Sequence, residues 1–238
     1  MTILDNIPFD LDLDQMIIDL RLANRNRHIR EFRELADEAR ALAWPKALYL
    51  EQEPTIIADK IVRIAGETFE SQVLQINLAQ SDKVFPALAT CGRELDEWRA
   101  SKTNILHQFW AKSITDSALE AAVTDFKRKI KKEHKIKFVS IMTPGSLMDW
   151  PLPQQEPLFR LFGDGAQRIG VTLNESFLMS PESTISCLAF SSETHFYTCQ
   201  LCSNFDCRRR QADFDKSLLK TKYRLVTTGP QIGSGYQA

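Results

Sequence analysis

Between Gly92 and Pro144 the chain has neither glycine nor proline. Phe109, Ile114, Leu119, Val123, Phe126 and Ile130 supply apolar faces within that stretch, so a strongly helical run is expected from Leu95 to about Lys132. Other absences exclude whole classes. No apolar run approaches the roughly 20 residues that span a bilayer. The acidic opening MTILDNIPFDLDLDQM lacks the basic-then-apolar pattern of an export signal. A formal net charge of −1 over 238 residues gives no overall pull toward nucleic acid or an anionic membrane. Recognised catalytic patterns are missing as well: no G-x-x-x-x-G-K-[ST], no G-x-G-x-x-G after a strand, no G-x-S-x-G elbow and no H-E-x-x-H. Cysteine is scarce, with five in the chain. The odd count, the clustering of three of them and the lack of an export signal point to a reducing cytoplasm.

What is present starts with that cluster. Cys199, Cys202 and Cys207 are spaced C-x2-C-x4-C and run straight into Arg208, Arg209 and Arg210. A C-x2-C pair lets two thiolates reach one metal from a single turn, a third supplies most of a tetrahedral shell, and neighbouring guanidinium groups favour thiolate. His195 lies four residues upstream and completes a Cys3His set by spacing alone. Zinc and an iron–sulfur cluster both remain open, with Cys187 or Cys91 as a further cluster ligand. Redox-active thiols and inert thiols are the other readings. The remaining histidines, His28, His107 and His134, are scattered and read as structural.

Elsewhere the chain reads as mixed α and β. Ile29, Phe32, Leu35, Ala36, Ala39 and Leu42 predict a helix over 28–42, ended by Trp44-Pro45. Lys46–Leu50 and Val73–Ile76 suit strands or a strand–helix mix, Val84–Thr90 a buried strand and Lys137–Met142 another. A short helix is expected near Pro157–Phe162, then a strand-rich stretch from Ile169 to Cys199. Seven basic residues from Lys127 to Lys137 read as a solvated helix end that complements the helix dipole, or as a docking patch for an acidic partner. Without interleaved aromatics this run does not suggest nucleic acid. The last ten residues, from Gly229, read as a loosely held tail.

The segment Ile169-Gly170-Val171-Thr172-Leu173-Asn174-Glu175-Ser176-Phe177-Leu178-Met179, followed by Ser180-Pro181-Glu182-Ser183-Thr184-Ile185-Ser186, resembles the reactivation domain of cobalamin-dependent methionine synthase. Thr143-Pro144-Gly145, Leu158-Phe159, the piece Asp116–Lys132 and the turn Thr90-Cys91-Gly92-Arg93-Glu94-Leu95 follow the same order as in that family. The resemblance covers roughly 85–200.

It implies an α/β chain of the α+β type: a C-shaped single unit on a twisted, largely antiparallel sheet flanked by helices. The division it suggests is a helical or mixed segment over 1–84 packed on the main unit, a core with the cysteine cluster over 85–212, and a tail over 213–238. It implies S-adenosylmethionine as a ligand, with Glu120, Gly145, Phe196 and Tyr197 matching its pocket. Two departures stand in that pocket: Ile141 replaces the family's arginine four residues before the glycine, and Ser146 replaces the tyrosine after it. The cysteine cluster resembles one in stand-alone relatives found with corrinoid methyltransferase systems, which also end in an arginine, here Arg210.

Two functions follow from the resemblance. One is a reactivation factor for a corrinoid (cobalamin) methyltransferase protein, meeting cobalamin only through that partner and having no self-contained active site. The other is a regulatory or scaffolding module with structural zinc and no S-adenosylmethionine binding. The corrinoid-binding pattern D-x-H-x-x-G is missing, which disfavours a full methyltransferase.

Overall fold

The computed structural model describes residues 1–207 and 210–225. In chain order the main elements are β1 (Thr2–Leu4), α1 (Leu13–Asp19), α2 (Asn26–Leu42), β2 (Lys46–Tyr49), β3 (Pro54–Ala58), β4 (Ile61–Ile64), β5 (Glu67–Glu70), α3 (Gln72–Leu78) and β6 (Val84–Thr90). There follow α4 (Arg93–Ala100), α5 (Ile105–Glu133), β7 (Phe138–Met142), α6 (Gln155–Phe162), α7 (Gly165–Arg168), β8 (Thr172–Leu173), β9 (Met179–Ser180), β10 (Thr184–Ser192) and α8 (Lys216–Thr221).

A five-stranded sheet in the order β1-β2-β6-β10-β7 forms the centre, and every pairing in it is antiparallel. All seven residues of β6 are buried, because both faces of the sheet are covered. Side-chain alternation divides the two faces. Ala47, Tyr49, Phe85, Ala87, Ala89, Val139, Cys187 and Ala189 turn toward Leu119, Ala122, Phe126 and Ile130 of α5. Leu48, Val84, Leu88, Met142, Leu188 and Phe190 turn the other way, onto a layer built from α3, α6 and the smaller sheet β3-β4-β5. The small alanines at 47, 87 and 89 let α5 lie close to its face. A third cluster joins α1, α2 and α4 to the first turns of α5 through Phe32, Leu35, Ala36, Leu95 and Trp110.

Residues 1–84 thus give β1 and β2 to the same sheet as the rest. Of 213–238, the described part up to 225 forms α8 and buries Leu219 and Tyr223 in the second-face cluster. The tail expected from Gly229 lies outside the described residues.

The long helical run is interrupted. Asn104 accepts hydrogen bonds from the amides of Leu106 (2.8 Å) and His107 (3.3 Å), and Ser101 Oγ donates to the Trp98 carbonyl (2.7 Å). These caps end α4 and start α5 without glycine or proline. Val73–Ile76 lies in helix α3, whose N-terminus is held from far along the chain. The Asp149 carboxylate accepts from the amides of Val73 (2.9 Å) and Gln72 (3.2 Å) and from the Ser71 hydroxyl. Asp149→Ala is expected to cost about 2 kcal/mol, since charge-assisted caps contribute more than neutral ones. Thermal denaturation checks this, and an unchanged midpoint would count against the cap.

Candidate functional site

Parts of three segments that carry the family resemblance, at 90–91, at 116 and at 182–184, meet at one place. Ser183, at the entry to β10, donates to Asp116 Oδ1 (2.8 Å) and lies 3.0 Å from the Thr115 hydroxyl. Lys112 Nζ donates to Asp116 (2.6 Å) and to Ser183 (3.2 Å). Glu182 pairs with Arg99 at 2.8 Å, and Arg99 with Asp96 at 3.1 Å. Thr184 donates to Thr90 (2.9 Å), and the Cys91 amide donates to the Ser183 carbonyl (3.0 Å). Ser183, Thr184, Thr90 and Thr115 are all buried. This node ties α4, α5, β6 and β10 together through mutually satisfied groups, which makes it a structural junction. Spacing along the chain gave no sign that 96–99, 112–116 and 182–184 converge.

The four residues matched to S-adenosylmethionine do not converge. Glu120 is exposed on α5 and lines an open hollow of about 650 Å³ with Ile7, Leu11, Met16, Ser117 and Arg128. That hollow lies between α5 and the segment following β1. Gly145 sits in the turn after β7, at the opposite edge of the sheet. Its φ of +81° and the approach of Leu152 explain the glycine, and its amide donates to the Trp150 carbonyl (2.8 Å). Phe196 is buried on the face away from α5, its ring against Phe190 and Tyr223 and its amide donating to Ser140 Oγ (3.1 Å). Tyr197 stacks on His195 at 5.4 Å. Ile141 packs toward α5, and Ser146 donates to the Thr143 carbonyl (2.6 Å). Glu120 is on a helix, Gly145 in a turn, and Phe196 and Tyr197 in the segment after β10, so their order along the chain does not place them on one face. The four residues as placed do not fit one bound S-adenosylmethionine.

The thiols lie after β10 rather than directly on it. Residues 193–197 intervene, and a short 3-10 turn, Thr198–Gln200, carries Cys199. Cys199, Cys202 and Cys207 are free and half-buried, and Cys202 packs against the cluster on the face away from α5. His195 is occupied by Tyr197 and Phe138. Among the described residues no group of three or more His, Cys, Asp or Glu side chains is arranged to hold a metal. The expected Cys3His convergence is therefore not formed, and the residues as placed do not fit a zinc ion or cluster. Arg208 and Arg209 lie outside the described residues. Cys91 and Cys187 sit remote from the loop in other clusters, and burial pushes both thiols up to about 12.

The basic run divides. Arg128 pairs with Asp125, Lys129 lies 3.6 Å from Glu133, and Lys131 and Lys132 occupy the last turn of α5. Lys127 is half-buried over the sheet near Cys187, and desolvation lowers its pKa. A second hollow, about 320 Å³, is lined by Ile3, Asp5, Trp44, Lys46, Arg168 and Ile169, none of which was a candidate site residue in the sequence. Among the described residues no helix is long and apolar enough to cross a membrane.

No protein-family model and no curated protein matches the chain. Among solved structures it is similar to one described as the MetH reactivation domain bound to AdoHcy, with a TM-score of 0.56 and 14% identity. The match covers 79% of this chain and 69% of that one. At such identity the likeness establishes fold: antiparallel sheets flanked by helices in the arrangement of that domain. Function is a separate question.

Proposed function

We propose that the chain is an accessory factor for a corrinoid-binding methyltransferase protein, docking on that partner to support return of its cobalt to the active state. The observation that carries the reading is the shared fold, which extends over 79% of the chain. Parts of three motif segments, at 90–91, at 116 and at 182–184, also build one junction in the core. The role suits a chain without a catalytic constellation. In reductive methylation of a corrinoid the cobalt is the nucleophile, so the protein's contribution is positioning. No step is placed on Glu120, Gly145, Phe196 or Tyr197, because they do not share a pocket, and none on a metal at the thiols.

One observation favours the second reading, a regulatory or scaffolding module. Cys202 packs on the sheet face away from α5, whereas Glu120 lines the hollow on the α5 side. Thiols at the rim of that hollow would have suited electron delivery. The deciding experiment mixes the purified chain with a corrinoid methyltransferase protein held as cobalt(II), an electron donor and S-adenosylmethionine. Methylcobalt formation is followed by absorbance. The first reading expects at least about a tenfold faster conversion than without the chain, equivalent to 1.4 kcal/mol of barrier. Stable binding with no change in rate moves the assignment to the second reading, and absence of both effects removes the first.

A further inference from the structure

We infer that Arg210, and not the thiols, folds the cysteine loop. Its Nη1 donates to the carbonyls of Cys199 (2.8 Å) and Ala212 (3.0 Å), and its Nη2 to those of Cys202 (2.9 Å) and Asn204 (2.7 Å). One planar fork therefore gathers four backbone oxygens from both limbs of the loop, which a point charge on a flexible stem cannot do. The guanidinium also lies over the Phe205 ring at 5.6 Å, and Phe205 packs edge-on against Phe214 at 5.5 Å. Arg210 makes no ion pair within 4.0 Å among the described residues, so its charge is met by carbonyl dipoles and a ring face.

This inverts the usual order in a cysteine-rich loop. In a zinc knuckle the metal gathers the thiolates, and backbone order follows from binding. Here the carbonyls of two of the three cysteines are already fixed by a side chain of the same loop. Among the described residues the one hydrogen bond to the Cys199 sulfur comes from the Gln211 amide at 3.5 Å. Loop order and sulfur chemistry are thereby separated. Arg210 is a positioning residue that presents Cys199, Cys202 and Cys207 half-exposed and reduced.

The test is amide hydrogen exchange over 199–215, combined with the rate of thiol modification by a disulfide reagent. It compares wild type, chelator-treated wild type, Arg210→Ala, Arg210→Lys and the triple variant Cys199→Ser, Cys202→Ser, Cys207→Ser. The expected result is at least about tenfold faster exchange in both Arg210 variants, together with faster modification of the three loop thiols. The triple variant and the chelated protein should exchange as wild type does. Cys91 and Cys187, which are buried, report global integrity by staying unreactive. Should Arg210→Ala fail to fold, the triple variant against wild type still decides. Loop exchange accelerated tenfold by losing the thiols or by chelation overturns the inference, as does an Arg210→Ala loop that exchanges like wild type.

Discussion

Gly92→Ala is expected to destabilise the protein by more than about 3 kcal/mol, the range reached when backbone strain and a steric clash coincide. Gly92 has φ +93° and ψ 150°, a region open essentially to glycine alone. A Cβ there would stand 2.5 Å from the Trp44 carbonyl oxygen and 3.2 Å from its carbon. Both are backbone atoms, so no rotamer change relieves the contact. Trp44 has little freedom to retreat. Pro45 follows it, its Nε1 donates to the Asp5 carbonyl at 2.5 Å, and Lys46 sits 4.1 Å from its ring centroid. Gly92 also precedes the first turn of α4 and lies beside the Ser183 junction, so displacement is transmitted to α4, β6 and β10 at once. Urea titration of the variant checks this, and a loss below about 1 kcal/mol would show that the Trp44 strap moves freely.

The same residue shows how much of the architecture was legible. Thr90-Cys91-Gly92-Arg93-Glu94-Leu95 stood out as a motif, but its reason is a contact with residue 44, which no local pattern encodes. Elements with a strong period were readable: the Phe32, Leu35, Ala36 and Ala39 stripe gave α2, and the unbroken apolar run from Val84 gave β6. The break between α4 and α5 carried its signal in Asn104 just before Ile105, and the lack of glycine and proline outweighed it. The pairings of β1 with β2 and β2 with β6 are long-range and leave no local mark.

For the site, clustering of the thiols was legible and their lack of convergence was not, because it depends on the path of the loop around Arg210. Phe196 and Glu120 were linked through family order. Only the side of the sheet taken by α5 and the path of the chain after β10 show that they are separated. The likeness of fold is thus well supported, while the ligand chemistry has to be established on this chain's own surfaces.

Stability is expected to fall steeply above pH 9, and the cause lies in the two thiols outside the loop. Cys91 and Cys187 have folded pKa values pushed up to about 12, chiefly by burial. In the unfolded chain they titrate near 8.5. A raised folded pKa means that the stabilising contribution is complete below the unfolded value and is lost as pH rises toward the folded one. Each thiol then removes about 1.4 kcal/mol per unit, so the two together remove roughly 5 kcal/mol between pH 9 and 11. Tyr223, raised to about 12 by burial, and Tyr49, raised by burial and its bond to Glu133, add losses of the same sign from about pH 10. Lys127 opposes them, because desolvation disfavours its charged form and deprotonation relieves that cost. Four groups against one leaves the net sign negative. Urea midpoints measured from pH 7 to 11 give the curve, and the double variant Cys91→Ala, Cys187→Ala isolates the thiols. Its alkaline limb should be flatter below pH 10 whatever its stability at pH 7. An unchanged slope in that variant would mean that the two thiols ionise in the folded protein as readily as in the unfolded chain, contrary to their burial beneath α4 and α5.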